Sequence, residues 1–227
     1  MKEPLLDKLD RKFGRYALRN LMLIIIIGTG VVWLLETIVS AKTDTSILYY
    51  IYFDKEAIFR GEVWRLITFV FVPDSFSLFS LALGLYIDWL IGNALENEWG
   101  ALRFNLYYFV GWLGAVLSGL ITGYATNYYL HLSMFLAFAV LYPDFTLYLF
   151  FIIPIKMKWL AIIDVIALVV LFILGGWAGR IALLVSLLNI VLFCGGNVLN
   201  AWKRRRRRKK WQKEARIQSD NEYPFDL

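Results

Sequence analysis

FSLFSLALGLYIDWLIGNALENEWG, Phe76–Gly100, is apolar enough to sit in a membrane, yet Ser80, Gly84, Asp88, Gly92 and Glu96 recur in it at every fourth position. Residues four apart share one ridge of a helix, so this segment reads as a helix that carries a small and polar stripe through lipid. Polar atoms at that depth are costly, which makes the stripe a catalytic face, the remnant of one, or a packing seam.

The rest of the chain fits the same setting. Of 227 residues 59% are hydrophobic and 19% charged, and the apolar residues come in runs of about twenty, as in a polytopic helical membrane protein. Six transmembrane helices are expected, at 20–40, 76–96, 104–124, 128–141, 157–174 and 181–200, so the fold class is an all-α bundle over residues 20–200. The fourth is short: fourteen residues rise only about 21 Å against a roughly 30 Å hydrocarbon core, so protein or a water-filled recess has to cover its ends. Before the fifth, FTLYLFFIIPI (Phe145–Ile155) is also apolar, and Pro154 argues for a break that leaves this piece interfacial or re-entrant. One loop of about 35 residues follows the first span.

Charge sets the expected orientation. With six spans both termini share a side, and nineteen basic residues fall there against five opposite, Lys42, Lys55, Arg60, Arg65 and Arg180. The positive-inside rule then places both termini in the cytoplasm. Residues 1–19, with Leu5, Leu6, Leu9, Phe13, Tyr16 and Ala17 at helical spacing among basic residues, suit a helix lying on the inner surface. In the tail, 201–227, KRRRRRKK (Lys203–Lys210) is expected to be a topology anchor; the alternatives are anionic lipid, attracted at about 1 kcal/mol per basic residue, or a nucleic-acid-like partner such as ribosomal RNA, with no specific nucleic acid expected. No cofactor is expected, and the single cysteine, Cys194, excludes an internal disulfide. No cleavable signal peptide is evident, and the balance of features leans to a bacterial plasma membrane, with the endoplasmic reticulum second.

Three stretches in order resemble the rhomboid superfamily of intramembrane serine proteases and their inactive relatives. GEVWRLITFVFVP (Gly61–Pro73) is similar to the tryptophan–arginine motif, here Trp64 and Arg65, of the long outer loop. IGNALENEWGALRFNLYYFVGWLGAVLSG (Ile91–Gly119) places Glu96 and Gly100 where the family carries a glutamate and glycine, and LYPDFTLYLFFIIPIKMKWLA (Leu141–Ala161) resembles the segment between helices four and five. The resemblance implies a six-helix bundle with a partly embedded outer loop. It also implies where catalytic groups would stand: by family spacing the oxyanion-stabilising histidine falls on Ser80, the asparagine on Gly84, and the nucleophile near Tyr128, with no GxSG motif there and no histidine in the sixth span.

Elementary chemistry agrees. A serine needs a base within about 3 Å to become a nucleophile. The one histidine, His131, lies two residues from Ser133, about 200° around a helix, so the two cannot pair within one regular helix. No lysine falls at mid-membrane. The expected function is therefore a catalytically inactive rhomboid-like protein, derlin-like in its losses, that binds transmembrane client segments in quality control, trafficking or regulation. Its candidate groove is Ser80, Gly84, Asp88 and Gly92. The alternatives are a protease with rearranged groups, most plausibly using Ser133, and a lipid-thinning or scrambling protein.

Several polar residues keep two readings. Asp88 either lines a cavity or bonds a neighbouring helix, for example at Ser118 or Asn189, and Asp164 poses the same question. Arg65 is expected to fix the outer loop by pairing with a carboxylate or carbonyls. Gly84, Gly92, Gly111, Gly114, Ser118 and Gly119 let helices approach closely.

Overall fold

The computed structural model describes residues 17–43, 45–149, 153–174, 176, 177 and 179–193, together with 12 and 14. The expected surface helix at 1–19 falls almost wholly outside these residues, and the basic tail at 201–227 and Cys194 fall outside them.

Apolar runs of about twenty residues become long helices because lipid leaves backbone groups no partner except one another. Among the described residues four are long and apolar enough to cross a membrane: α1 (Leu21–Lys42), α5 (Leu78–Trp99), α6 (Ala101–Thr122) and α8 (Met157–Leu174). Two apolar helices are shorter, α7 (Tyr128–Leu141) and α9 (Gly179–Phe193). The last seven residues of the expected sixth span, 194–200, are outside the described residues. Large apolar side chains such as Ile27, Leu34, Ile163, Ile166 and Val169 stand exposed on the long helices, which suits lipid and not water. This is a helical membrane protein.

Two expectations are corrected in detail. Helix α6 begins at Ala101, three residues before the expected 104, because Gly100 turns the chain at φ +86° and ψ 154°, a conformation essentially confined to glycine. The chain is also not wholly helical. Part of the piece read as interfacial or re-entrant is an antiparallel hairpin, β1 (Thr146–Leu149) and β2 (Ile153–Lys156), with Leu147 opposite Ile155. Pro154 lacks the donor a helix needs but sits in a two-stranded hairpin, where every strand is an edge. The break before α8 falls at its end, where Met157 N donates to Phe145 O at 2.8 Å.

The loop after α1 is well built. It holds α2 (Leu48–Ile51), α3 (Lys55–Phe59), α4 (Arg65–Thr68) and a 3₁₀ turn (Phe69–Phe71). Glu36, buried near the end of α1, gathers its start: it accepts from Ser46 Oγ at 2.8 Å, Ile47 N at 2.8 Å and Leu48 N at 3.3 Å. At its far end Asn127 Nδ2 donates to Val70 O and Val72 O, and Trp112 Nε1 donates to Leu66 O.

Helix α5 packs on α1, α6 and α7. Around it Met22, Phe69, Ile91, Leu95, Phe104, Tyr107, Met134 and Phe138 are fully buried. The short α7 has eight of its fourteen residues buried, whereas α8 has two of eighteen, so protein covers the short helix and α8 keeps most of its surface free. A second cluster, Leu132 and Leu136 with Leu168 and Leu183, joins α7, α8 and α9.

Candidate functional site

The stripe on α5 meets a different neighbour at each turn. At its C-terminal end Glu96 Oε1 accepts from the backbone N of Asn20 at 2.9 Å and so holds the start of α1, one helix end against another. One turn back, Gly92 is buried and a Cβ there would lie 2.5 Å from Met22 Cγ. That glycine is closed by Met22 and forms a packing seam within the protein.

The next turn carries the ionisable group. Asp88 Oδ2 lies 3.0 Å from Nδ1 of His131 on α7, with the two side chains 18% and 15% exposed. Ser118 and Asn189, the partners considered from sequence, are elsewhere: Asn189 Nδ2 donates to Tyr107 O at 3.1 Å, and the Ser118 hydroxyl has no hydrogen-bond partner among the described residues. His131 Nε2 has no hydrogen-bond partner among the described residues.

The last two positions are open. Gly84 and Ser80 are exposed, and a Cβ on Gly84 would meet nothing within 4 Å. They border a recess of about 40 Å³ together with Asp88, His131, Asn127 and Asp74. That volume takes about one or two water-sized groups and no whole helix. Asp74 stands on the loop before α5; the residue is exposed overall, yet protein crowding around its carboxyl raises its pKa, an effect opposed by His131 and reinforced by Asp88. Asp74 and Asn127 were not legible as site residues, since neither lies on the stripe.

Of the expected catalytic positions, Ser80 and Gly84 border this recess, whereas Tyr128 and Ser133 line a separate cavity between α6, α7 and α9. Tyr128 stands 44% exposed at the first residue of α7. Ser133 is 1% exposed, donates to Leu130 O at 2.8 Å and accepts from Tyr107 Oη at 2.8 Å. It faces away from His131, as their spacing predicts. A hydroxyl bonded to His131 Nε2 would mark a nucleophile and its base, and no described hydroxyl makes that bond. The recess can instead hold a proton or present charge and hydrogen-bonding groups to a small polar visitor. Asp164, half-buried on α8, has an Oδ2 with no hydrogen-bond partner among the described residues and belongs to neither arrangement.

The loop motif is anchored rather than poised. Arg65, 3% exposed, pairs with Glu62 Oε2 at 2.6 Å and donates to Tyr49 O and Tyr52 O at 2.8 and 3.0 Å. Trp64 is 49% exposed, and its Nε1 donates to Tyr50 O.

No protein-family model matches the chain, and no curated protein is significantly similar to it in sequence.

Proposed function

We propose that this is a rhomboid-like membrane protein without protease chemistry, which binds transmembrane segments of other membrane proteins from within the bilayer. The observation that carries the reading is the division of the α5 stripe: Gly92 is closed by Met22, while Ser80 and Gly84 stand open beside the Asp88–His131 pair. A partly buried ionisable pair next to an unfilled recess bordered by Gly84 is costly to keep in lipid unless something polar uses it. The recess is too small for a helix, so a client would lie along the exposed Ser80–Gly84 face and send one polar side chain inward.

The scaffold features named from the resemblance support this reading by having structural partners: Arg65 fixes the outer loop, Glu96 holds α1, and Gly100 makes the α5–α6 turn. In this reading all six apolar helices cross the membrane, both termini are cytoplasmic and the membrane is a bacterial plasma membrane. A rearranged protease using Ser133 is disfavoured because that hydroxyl is buried and already bonded on both sides.

The test is photocrosslinking in native membranes, with a photoreactive side chain replacing Gly84 or, as the lipid-facing control, Val169. Single-span proteins captured from Gly84 and lipid captured from Val169 are expected; equal protein capture from both would sink the proposal.

A further inference from the structure

A second cavity, of about 310 Å³, lies between α6, α7 and α9. Its walls are built from small residues, with Gly111, Ala115 and Ser118 on α6 facing Gly179 and Ala182 on α9, and it is reached past Tyr124 and Tyr128, which are 57% and 44% exposed. Native interiors leave few voids larger than a water. This one is roughly twice the ~150 Å³ apolar cavity that takes a benzene ring, room for about a dozen carbon atoms.

Its chemistry narrows the occupant. No lining residue is charged among the described residues, so an anionic or cationic ligand would enter uncompensated there. Three serines border the space. Ser133 donates to Leu130 O and Ser186 to Tyr129 O, whereas Ser118, 2% exposed, has no hydrogen-bond partner among the described residues. Of the three serines, Ser118 alone keeps a buried hydroxyl without a partner among the described residues, in a wall that is otherwise mostly apolar. That arrangement matches a hydrocarbon ligand with a single acceptor.

Position supplies the rest. Ser118 sits four residues from Thr122, the end of α6, so it lies about 6 Å inside the helix end, close to the level where lipid ester groups meet hydrocarbon. Gly111 is about 10 Å deeper along the same helix. We propose that this cavity takes one acyl chain of a phospholipid from the leaflet at the Thr122 end, with the ester carbonyl accepting from Ser118 Oγ and the chain running down past Ala115 to Gly111. The site is separate from the Asp88–His131 recess and does not depend on client binding.

The test uses the full chain in phosphatidylethanolamine–phosphatidylglycerol vesicles doped with a phosphatidylcholine bearing a mid-chain diazirine, irradiated and mapped by peptide mass spectrometry. Adducts are expected on 111–118 and 182–186. Ala115→Phe is expected to cut them at least tenfold while leaving adducts on the exposed Val169 and Val170 unchanged, and Ser118→Ala, which leaves the cavity open, to cut them two- to tenfold. Cavity adducts no denser than those at Val169, full yield in Ser118→Ala, or displacement of the adducts by an added single-span helix would each overturn the proposal. Should Ala115→Phe fail to fold, Ser118→Ala decides alone.

Discussion

Asp88 on α5 and His131 on α7 stand 3.0 Å apart, two ionisable groups 43 positions apart in the chain joined inside a membrane-embedded bundle. Removing either leaves the other's polar atoms without their close partner in a poorly solvated place. Asp88→Ala and His131→Ala are each expected to lower stability by about 1–3 kcal/mol, less than for a fully buried pair because both side chains keep some exposure. A double-mutant cycle in bicelles checks this: coupling of about 1 kcal/mol or more is expected, and strict additivity would show that the contact contributes nothing.

The two glycines of the stripe should respond in opposite directions. Gly92→Ala places a methyl group against the stem of Met22 and is expected to destabilise by about 1–3 kcal/mol. Gly84→Ala meets nothing and removes a flexible residue from a helix interior, so it is expected to be neutral or stabilising by up to about 1 kcal/mol. Unfolding in a graded mixture of mild detergent and dodecyl sulfate distinguishes them; equal losses would contradict the closed and open assignments.

Glu36 satisfies three donors at the loop entrance, so Glu36→Ala leaves Ile47 N, Leu48 N and Ser46 Oγ without their acceptor. A loss of about 1–3 kcal/mol is expected, with faster proteolysis between residues 45 and 52. Glu36→Gln keeps one acceptor oxygen and should lie between. Unchanged cleavage in Glu36→Ala would remove Glu36 as the organiser of this loop.

Asp74 carries a pH dependence of unusual sign for a carboxylate. Its folded pKa is raised, chiefly by burial of the carboxyl, so its favourable contribution is fully present below the ordinary value of 3.8 and is lost as pH rises through the folded value. Asp74→Asn should therefore gain stability over wild type as pH increases above that value and level off at neutral pH. The gain should stay below about 1 kcal/mol because the residue is exposed and screened. Thermal melting at pH 4 and pH 7.5 reads it, and a larger gain at pH 4 would reverse the assignment.

Much of the bundle was legible because the bilayer imposes length. Helices α7 and α8 have the expected bounds, and α1 and α5 differ from theirs by one to three residues at each end. The apolar run alone places the start of α6 at 104, whereas Gly100 lets the helix begin at once at Ala101. The hairpin escaped notice because a short apolar run such as FTLYLFF fits helix and strand alike. Periodicity identified the α5 face but could not name partners, which depend on how helices cross. Ser118 and Asn189 could therefore be only examples of a partner for Asp88, which instead lines a recess and stands 3.0 Å from His131. Glu36 was passed over as part of a span, although asking each ionisable residue in an apolar run for its partner would have singled it out.

Client binding is tested most directly by energy transfer in vesicles between the labelled full chain and synthetic leucine–alanine single-span helices, one bearing a central asparagine and one without it. Association of the asparagine helix is expected, weakened about three- to tenfold by Gly84→Phe and unaltered by Val169→Phe, with the plain helix binding weakly throughout. Equal association of both helices, or no effect of filling the recess at Gly84, would contradict a client site beside the Asp88–His131 pair.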